Sequence, residues 1–316
     1  MARLSDIPGV FRTVGPWTLT KRVWQQVGED NVFTWGAAMA YSWLFAIFPF
    51  LVFLLSLVPF VPSRFKEDVR TDVANFVDDA LPESVGTLVM TQVENVLDKP
   101  SAGGFLSFGL LLMVWASSGG MAMTMSALDK AYDIEKGRPY YKHRLLAILL
   151  TIVAATLVIL VMILLPVGTG ILKWLESQGR IFSWVLYLVN IARYAIALLL
   201  MFSLLAILYH FGPSFKQEFH PITPGAVFSV AVWLLLGFVF RIYLTKFGGA
   251  ANYNKTYGAV AGAAILLLFF YIDALVLLIG AEINSEIDFA LCGEHGVAPP
   301  AHSKPVPKAP DSVKPS

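Results

Sequence analysis

Charge is scarce in this chain. Asp, Glu, Lys and Arg together make only 14% of its 316 residues, well below the share in an ordinary soluble domain, and the net charge is +1. No global field therefore recruits nucleic acid or an acidic substrate. Cysteine is nearly absent, and the single Cys292 excludes an internal disulfide and any cysteine-based zinc site. The five histidines (His143, His210, His220, His295, His302) are scattered, with no pair at metal-ligand spacing and no HxHxDH run. No Gly-rich phosphate loop followed by Lys and Ser or Thr provides an ATP-driven engine. No Ser-centred nucleophile elbow is present. These patterns point to no catalytic residue, no metal and no cofactor.

What fills the chain instead is apolar. Hydrophobic residues make up 57% of it, and the mean hydropathy is +0.67. They gather into six long stretches: Trp35–Phe60, Phe105–Met125, Leu145–Leu165, Ile181–Phe211, Ala226–Leu244 and Gly258–Ile283. Each is long enough, at about 1.5 Å per residue, to cross a hydrocarbon layer of roughly 30 Å. Backbone inside lipid must bond to itself, so these segments are expected to be helices. The fold class is an all-α membrane protein with six transmembrane helices. A tail (1–34), a membrane domain (35–288) and a second tail (289–316) divide the chain. The mostly polar start and the length of the first apolar run suit an uncleaved insertion signal rather than a signal peptide.

The connections have character of their own. In the first-to-second connection (Val61–Gly104), Phe65, Val69, Val73, Phe76 and Val77 recur at helical spacing, and Pro82 ends the pattern. Val85, Leu88, Val89, Val93, Val96 and Leu97 then repeat it. Two amphipathic helices follow, with Glu67, Asp68, Asp72, Asp78, Asp79, Glu83, Glu94 and Asp98 on their polar sides. They read either as solvated acidic faces or as an acidic cap over a transport vestibule. Before the first span, Trp17, Leu19, Val23, Trp24 and Val27 beside Lys21 and Arg22 predict a helix lying in the headgroup layer. From Val297 onward, Pro, Lys, Ala and Ser predominate and disorder is expected. Lys and Arg are denser in the N-terminal tail and in the second-to-third connection (Lys130, Lys136, Arg138, Lys142, Arg144), which favours both termini in the cytoplasm and the 61–104 loop outside.

Several of these segments carry a family resemblance. Ala37-Ala38-Met39-Ala40-Tyr41-Ser42-Trp43-Leu44-Phe45-Ala46-Ile47-Phe48-Pro49 resembles the N-terminal signature of the YihY/BrkB family, also called ribonuclease BN-like. The likeness continues through Phe105-Leu106-Ser107, Trp115-Ala116-Ser117-Ser118, Ala127-Leu128-Asp129-Lys130-Ala131-Tyr132 and Arg138. It resumes at Tyr209 with Pro213, Pro224-Gly225-Ala226, Tyr243-Leu244, Tyr253, Tyr257-Gly258-Ala259 and Leu278-Ile279-Gly280-Ala281-Glu282-Ile283-Asn284. Phe270-Tyr271 departs from it, standing where many relatives carry a Trp-centred pair. The likeness spans roughly residues 20–288, and the order of separate motifs makes it specific. It implies a bacterial inner-membrane protein with six spans. It implies little chemistry, because neither the old ribonuclease assignment nor the link to serum resistance defines a catalytic residue.

Ionisable groups at membrane depth are the sharpest functional pointers, since each costs a few kcal/mol there unless paired or hydrated. Arg193 lies about 18 Å into the fourth stretch and Asp273 about 22 Å into the sixth, measured from the same side, so a pair is geometrically allowed. Arg241 lies near the outer end of the fifth and can snorkel. Gly262, Asp273 and Asn284 fall eleven apart, on one stripe of the sixth helix, and Gly258 with Gly262 forms a small-xxx-small pair. Asp273 is thus either an interhelical hydrogen-bond staple or a substrate or proton site. Glu282, on the opposite face near the cytoplasmic exit, is expected to meet water, a headgroup or a basic residue of the 126–144 connection.

Kinks are expected at Pro49, which interrupts the first span, at Gly119-Gly120 beside Ser117 and Ser118, and after the third span at Pro166 with Gly168 and Gly170. Discontinuous helices of this kind occur in transporters, and plain kinks occur without transport. The best functional expectation is movement or handling of an amphipathic lipid or envelope precursor. A non-transporting envelope scaffold is the alternative, and a ribonuclease ranks last, since metal-dependent RNA hydrolysis wants clustered carboxylates in a basic groove. Expected partners are membrane lipids, with a homo-oligomer or envelope proteins beyond them, and no nucleic acid.

Overall fold

A computed structural model describes residues 7–56, 103–134, 136–177, 183–215, 217, 219–246 and 249–294. These form eight helices and their connections, with no strand among the described residues: α1 (Ile7–Thr13), α2 (Pro16–Glu29), α3 (Val32–Ser56), α4 (Gly103–Ala131), α5 (Tyr140–Ser177), α6 (Ser183–Phe211), α7 (Pro224–Lys246) and α8 (Gly249–Glu294). The expected external helices of 61–104 and the tail from Val297 fall outside the described residues, apart from the start of α4.

Four helices among the described residues carry stretches long and apolar enough to cross a membrane: Val32–Phe50, Tyr140–Val161, Tyr187–Phe211 and Leu266–Leu291. A shorter apolar run, Pro224–Val239, lies on α7, and α4 covers the second expected stretch with 29 helical residues. Their outward faces are greasy. Leu145, Leu149, Tyr187, Leu188, Leu199, Leu234, Leu235 and Phe238 are all exposed. A water-soluble fold does not leave so broad an apolar belt uncovered, whereas lipid covers it at no cost.

The helices continue through the positions where kinks are expected. α3 runs through Pro49 to Ser56, and α5 runs through Pro166, Gly168 and Gly170 to Ser177. One proline removes a single backbone bond, while breaking the helix in lipid would strand several polar groups, so continuity wins. α4 likewise passes unbroken through Gly119-Gly120. Gly120 has a different use there: a Cβ at this position would sit 3.0 Å from Ala46 Cβ and 3.1 Å from Trp43 Cδ1, so glycine lets α3 press against α4. Trp43 Nε1 donates to Thr124 Oγ1 at 2.9 Å across the same contact.

α8 is the hub. At 46 residues, on the order of 70 Å long, it exceeds the thickness of a bilayer and packs against α1, α2, α3, α4 and α7. Its C-terminal part binds the N-terminal helices, where Val10 and Leu19 bury against Ile287. α2 begins at Pro16, a residue suited to the first helical position, after Gly15 turns the chain with φ of 80°. It buries Leu19 and Val27 and leaves Trp17 and Trp24 exposed. The α2–α3 turn passes through Asn31 in the left-handed region, a conformation asparagine tolerates.

Candidate functional site

One end of the bundle gathers the N-terminal helices, the end of α8 and two connections, α4–α5 and α6–α7. Polar side chains knit it together, and each bond answers an elementary need. A helix leaves its first N–H groups and last C=O groups unpaired, and in a buried setting something must satisfy them.

At the start of α7 the solution is complete. Thr223 is the N-cap, and its Oγ1 accepts the Ala226 N–H at 3.2 Å. Pro224 at the first helical position has no N–H to satisfy. The remaining donor, Gly225 N–H, is taken by Asn284 Oδ1 of α8 at 2.8 Å, while Asn284 Nδ2 donates to Thr223 Oγ1 at 3.1 Å. All of these residues are buried. The approach that makes this contact possible is glycine on glycine. A Cβ on Gly225 would collide with the carbonyl of Gly280, and one on Gly280 with Ser229 Oγ and Tyr209 Oη. Beside it, Tyr209 Oη of α6 donates to Leu277 O at 2.9 Å and lies 2.9 Å from Ser229 Oγ.

At the end of α6 the needs are the opposite ones: Gln217 supplies donors to the last carbonyls, and Arg138 and Asp129 hold the connection that follows. Gln217 Nε2 donates to Tyr209 O at 2.6 Å and His210 O at 3.0 Å. Arg138 donates to Gly212 O at 2.8 Å and to Pro213 O. Asp129 of α4 accepts Ser214 N–H and Ser214 Oγ–H, each at 2.6 Å. Burial raises the Asp129 carboxyl above its ordinary value, against the bonds from Ser214 and the nearby charge of Arg138, which lower it. Arg138 is shifted down, again by burial first. Asp129 and Arg138 are brought together because α4 ends in a left-handed cap: Asp133 has φ of 54° and Ile134 N–H reaches back to Asp129 O at 2.8 Å.

The remaining acidic groups crowd the α2–α4–α8 junction. Asp30 is 1% exposed, and its Oδ1 lies 3.1 Å from Lys130 Nζ. Tyr132 is buried facing the Asn284 amide and the Glu282 and Asp288 carboxylates, and burial pushes its phenol well above the ordinary tyrosine value.

The sequence-predicted residues fare unequally. Asn284 is buried and bonded to α7. Glu282 is 1% exposed, which corrects the expectation of contact with water or headgroups: both faces of α8 are covered at this end, Ala281, Asn284, Ser285 and Ile287 being buried with it. Arg193 is buried, donating to Asn190 Oδ1 at 2.9 Å and Tyr194 Oη at 3.0 Å on its own helix. Asp273 is half-buried, and among the described residues neither a hydrogen bond nor an ion pair engages it, so Arg193 and Asp273 are not joined. α6 meets α8 through Tyr209, toward the polar end. The backbones of Arg241, Gly258 and Gly262 are helical, but their side-chain surroundings lie outside the described residues. Reading the sequence by depth missed the capping set of Asp129, Arg138, Tyr209, Ser214, Gln217 and Thr223. Thr223-Pro224 before an apolar run was a legible signal for one of them.

The polar end coincides with the segments that carried the family likeness. A family model, Virulence factor BrkB, matches residues 23–303. The chain belongs to the Virulence factor BrkB family. Among BrkB relatives, a Bacillus subtilis (strain 168) protein named ribonuclease-like protein YfkH is 32% identical over 250 residues, covering 79% of this chain and 87% of that one. A UPF0761 membrane protein of Stenotrophomonas maltophilia (strain R551-3) is 22% identical over 275 residues, and one of Xanthomonas oryzae pv. oryzae (strain PXO99A) is 23% identical over 280. Each aligns with 84% of this chain, which spans 59% of the length of those two relatives. No solved structure matches. The chain is therefore a membrane protein of the BrkB family, and no catalytic function comes with that membership.

Proposed function

We propose that this BrkB-family protein moves or handles an amphipathic, membrane-derived substrate, a lipid or an envelope precursor, in a bacterial inner membrane with both termini cytoplasmic. The observation that carries the reading is Asp273. A carboxylate in a membrane-crossing stretch is costly unless it is paired or reaches water or a polar substrate. Asp273 stands half-buried on the hub helix with no protein partner among the described residues. A purely structural staple would be bonded, as Asn284 and Tyr209 are. The tightly capped polar end fixes the same helix further along, at Leu277, Gly280 and Asn284.

A scaffold reading draws on the same rigidity, and it separates cleanly. Full-length protein in liposomes is expected to exchange a fluorescent phospholipid between leaflets, and Asp273→Asn to abolish the exchange while yield and thermal unfolding stay as in the parent. Absence of exchange in the parent favours the scaffold. Equal loss of protein level in the variant returns Asp273 to a structural role. The ribonuclease in a relative's name has no support in this arrangement, whose polar groups serve helix ends. Purified protein that cleaves RNA, losing the activity on one carboxylate change, would restore it.

A further inference from the structure

A cleft of about 340 Å³ lies beside the polar end, lined by Ser126 and Asp129 of α4, Gly137 and Arg138 of the connection, and Tyr140 and His143 of α5. We propose that it holds the headgroup of a phospholipid carrying both a phosphate and an amine. This inference rests on the lipid reading above and names a substrate class for it.

Three observations converge. The first is size, since the volume falls within the range of small-molecule sites, roughly 300–1,000 Å³. The second is height. Tyr140 and Tyr141 are 76% and 67% exposed at the head of α5, with the exposed Lys142 next to them. One turn on, the outward face becomes Leu145, Leu149 and Ile152, 70%, 55% and 43% exposed. Tyrosines followed at once by bare aliphatic side chains mark the boundary between headgroups and acyl chains. The mouth of the cleft opens at that level.

The third is chemistry. Arg138 has five N–H donors and gives one each to Gly212 O and Pro213 O, so this lining residue keeps donors to spare for an oxyanion. Ser126 Oγ donates to Ala122 O at 3.1 Å and lies 3.5 Å from His143 Nε2, so the hydroxyl holds the imidazole on the same wall. The first N–H groups of α5, beginning at Tyr140, add donors and a positive helix end, with no acidic residue in the first turn. Asp129 also faces the cleft, its two oxygens each accepting one bond from Ser214 and retaining a further lone pair. A purely anionic headgroup meets that carboxylate unfavourably, whereas an ammonium group satisfies it. A cation and an anion side by side in one lining complement a zwitterion.

The test is native mass spectrometry of the full chain in detergent, titrated with dihexanoyl phosphatidylethanolamine, dihexanoyl phosphatidylglycerol, glycerophosphoethanolamine and inorganic phosphate. The ethanolamine lipid is expected to bind saturably, about tenfold tighter than the glycerol lipid. Ser126→Ala with His143→Ala is expected to weaken it about tenfold, the loss of charge-assisted hydrogen bonds. If that double variant fails to fold, Tyr140→Ala, at an exposed position, takes its place with a smaller weakening. Glycerophosphoethanolamine should compete. Equal binding of the two lipids, or unchanged binding in the variants, overturns the assignment, and inorganic phosphate binding as tightly as the lipid assigns the cleft to free phosphate instead. Loss of leaflet exchange with binding intact, or the reverse, separates a failure of the transport reading from a failure of this site.

Discussion

Replacing Gly225 by alanine is expected to leave little folded protein. The added Cβ would drive into the Gly280 carbonyl and crowd Asn284 Cγ at 2.8 Å. Overpacking against mobile side chains typically costs about 1–3 kcal/mol. Here the obstacle is the backbone of the hub helix, and moving α7 outward would also break Gly225 N–H to Asn284 and uncouple Thr223 from the same amide. The cost should therefore reach or exceed the top of that range. Yield of monodisperse protein and the thermal unfolding midpoint in detergent measure it. By contrast, Gly237→Ala, on the same helix with open space around its Cβ position, should be nearly neutral. Parent-like unfolding of the Gly225 variant would show that α7 and α8 do not cross as closely as described.

Asn284→Ala carries the second large effect. It strips the buried Gly225 N–H of its acceptor and Thr223 of its amide partner at once. An unsatisfied buried donor costs about 1–3 kcal/mol, and the lost second bond adds about one more. Because Thr223 still caps Ala226, the damage should stay local. Hydrogen exchange over residues 223–230 is expected to accelerate far more than exchange in α3 or α4. This result also decides between two roles for Asn284. A residue that only lined a substrate pathway would leave stability and exchange unchanged when truncated, and that outcome would refute the clamp.

The contrast between these residues and Asp273 explains what the sequence could reveal. Helical character follows from hydrophobic runs, because lipid imposes one solution on the backbone, and among the described residues four helices carry a stretch long and apolar enough to cross. Helix ends were less legible. Pro49 and Pro166 can end a helix by local rule, yet the bilayer's penalty on unpaired backbone carries α3 and α5 through them as helix. Glu282 was misjudged for a similar reason: angular position on a helix says which residues share a face, but not whether both faces are covered.

The polar end was the hardest part to foresee. Ser214 stands far along the chain from Asp129 and Arg138, and only the folded connections show that the three meet just beyond the end of α6. Their chemistry resembles that of a site, while most of their bonds hold the connection after α6. Asp273 differs in having no such commitment among the described residues, and the cleft at Ser126 and His143 differs in having room left over.

The most direct measurement is lipid analysis of the full-length protein after mild extraction, set against the lipid composition of the membrane it came from. A lipid-handling bundle should retain one phospholipid class near a fixed molar ratio, enriched over its bulk abundance and reduced in Asp273→Asn or in the cleft variant. Lipids recovered only in bulk proportion, unchanged by either variant, would contradict it.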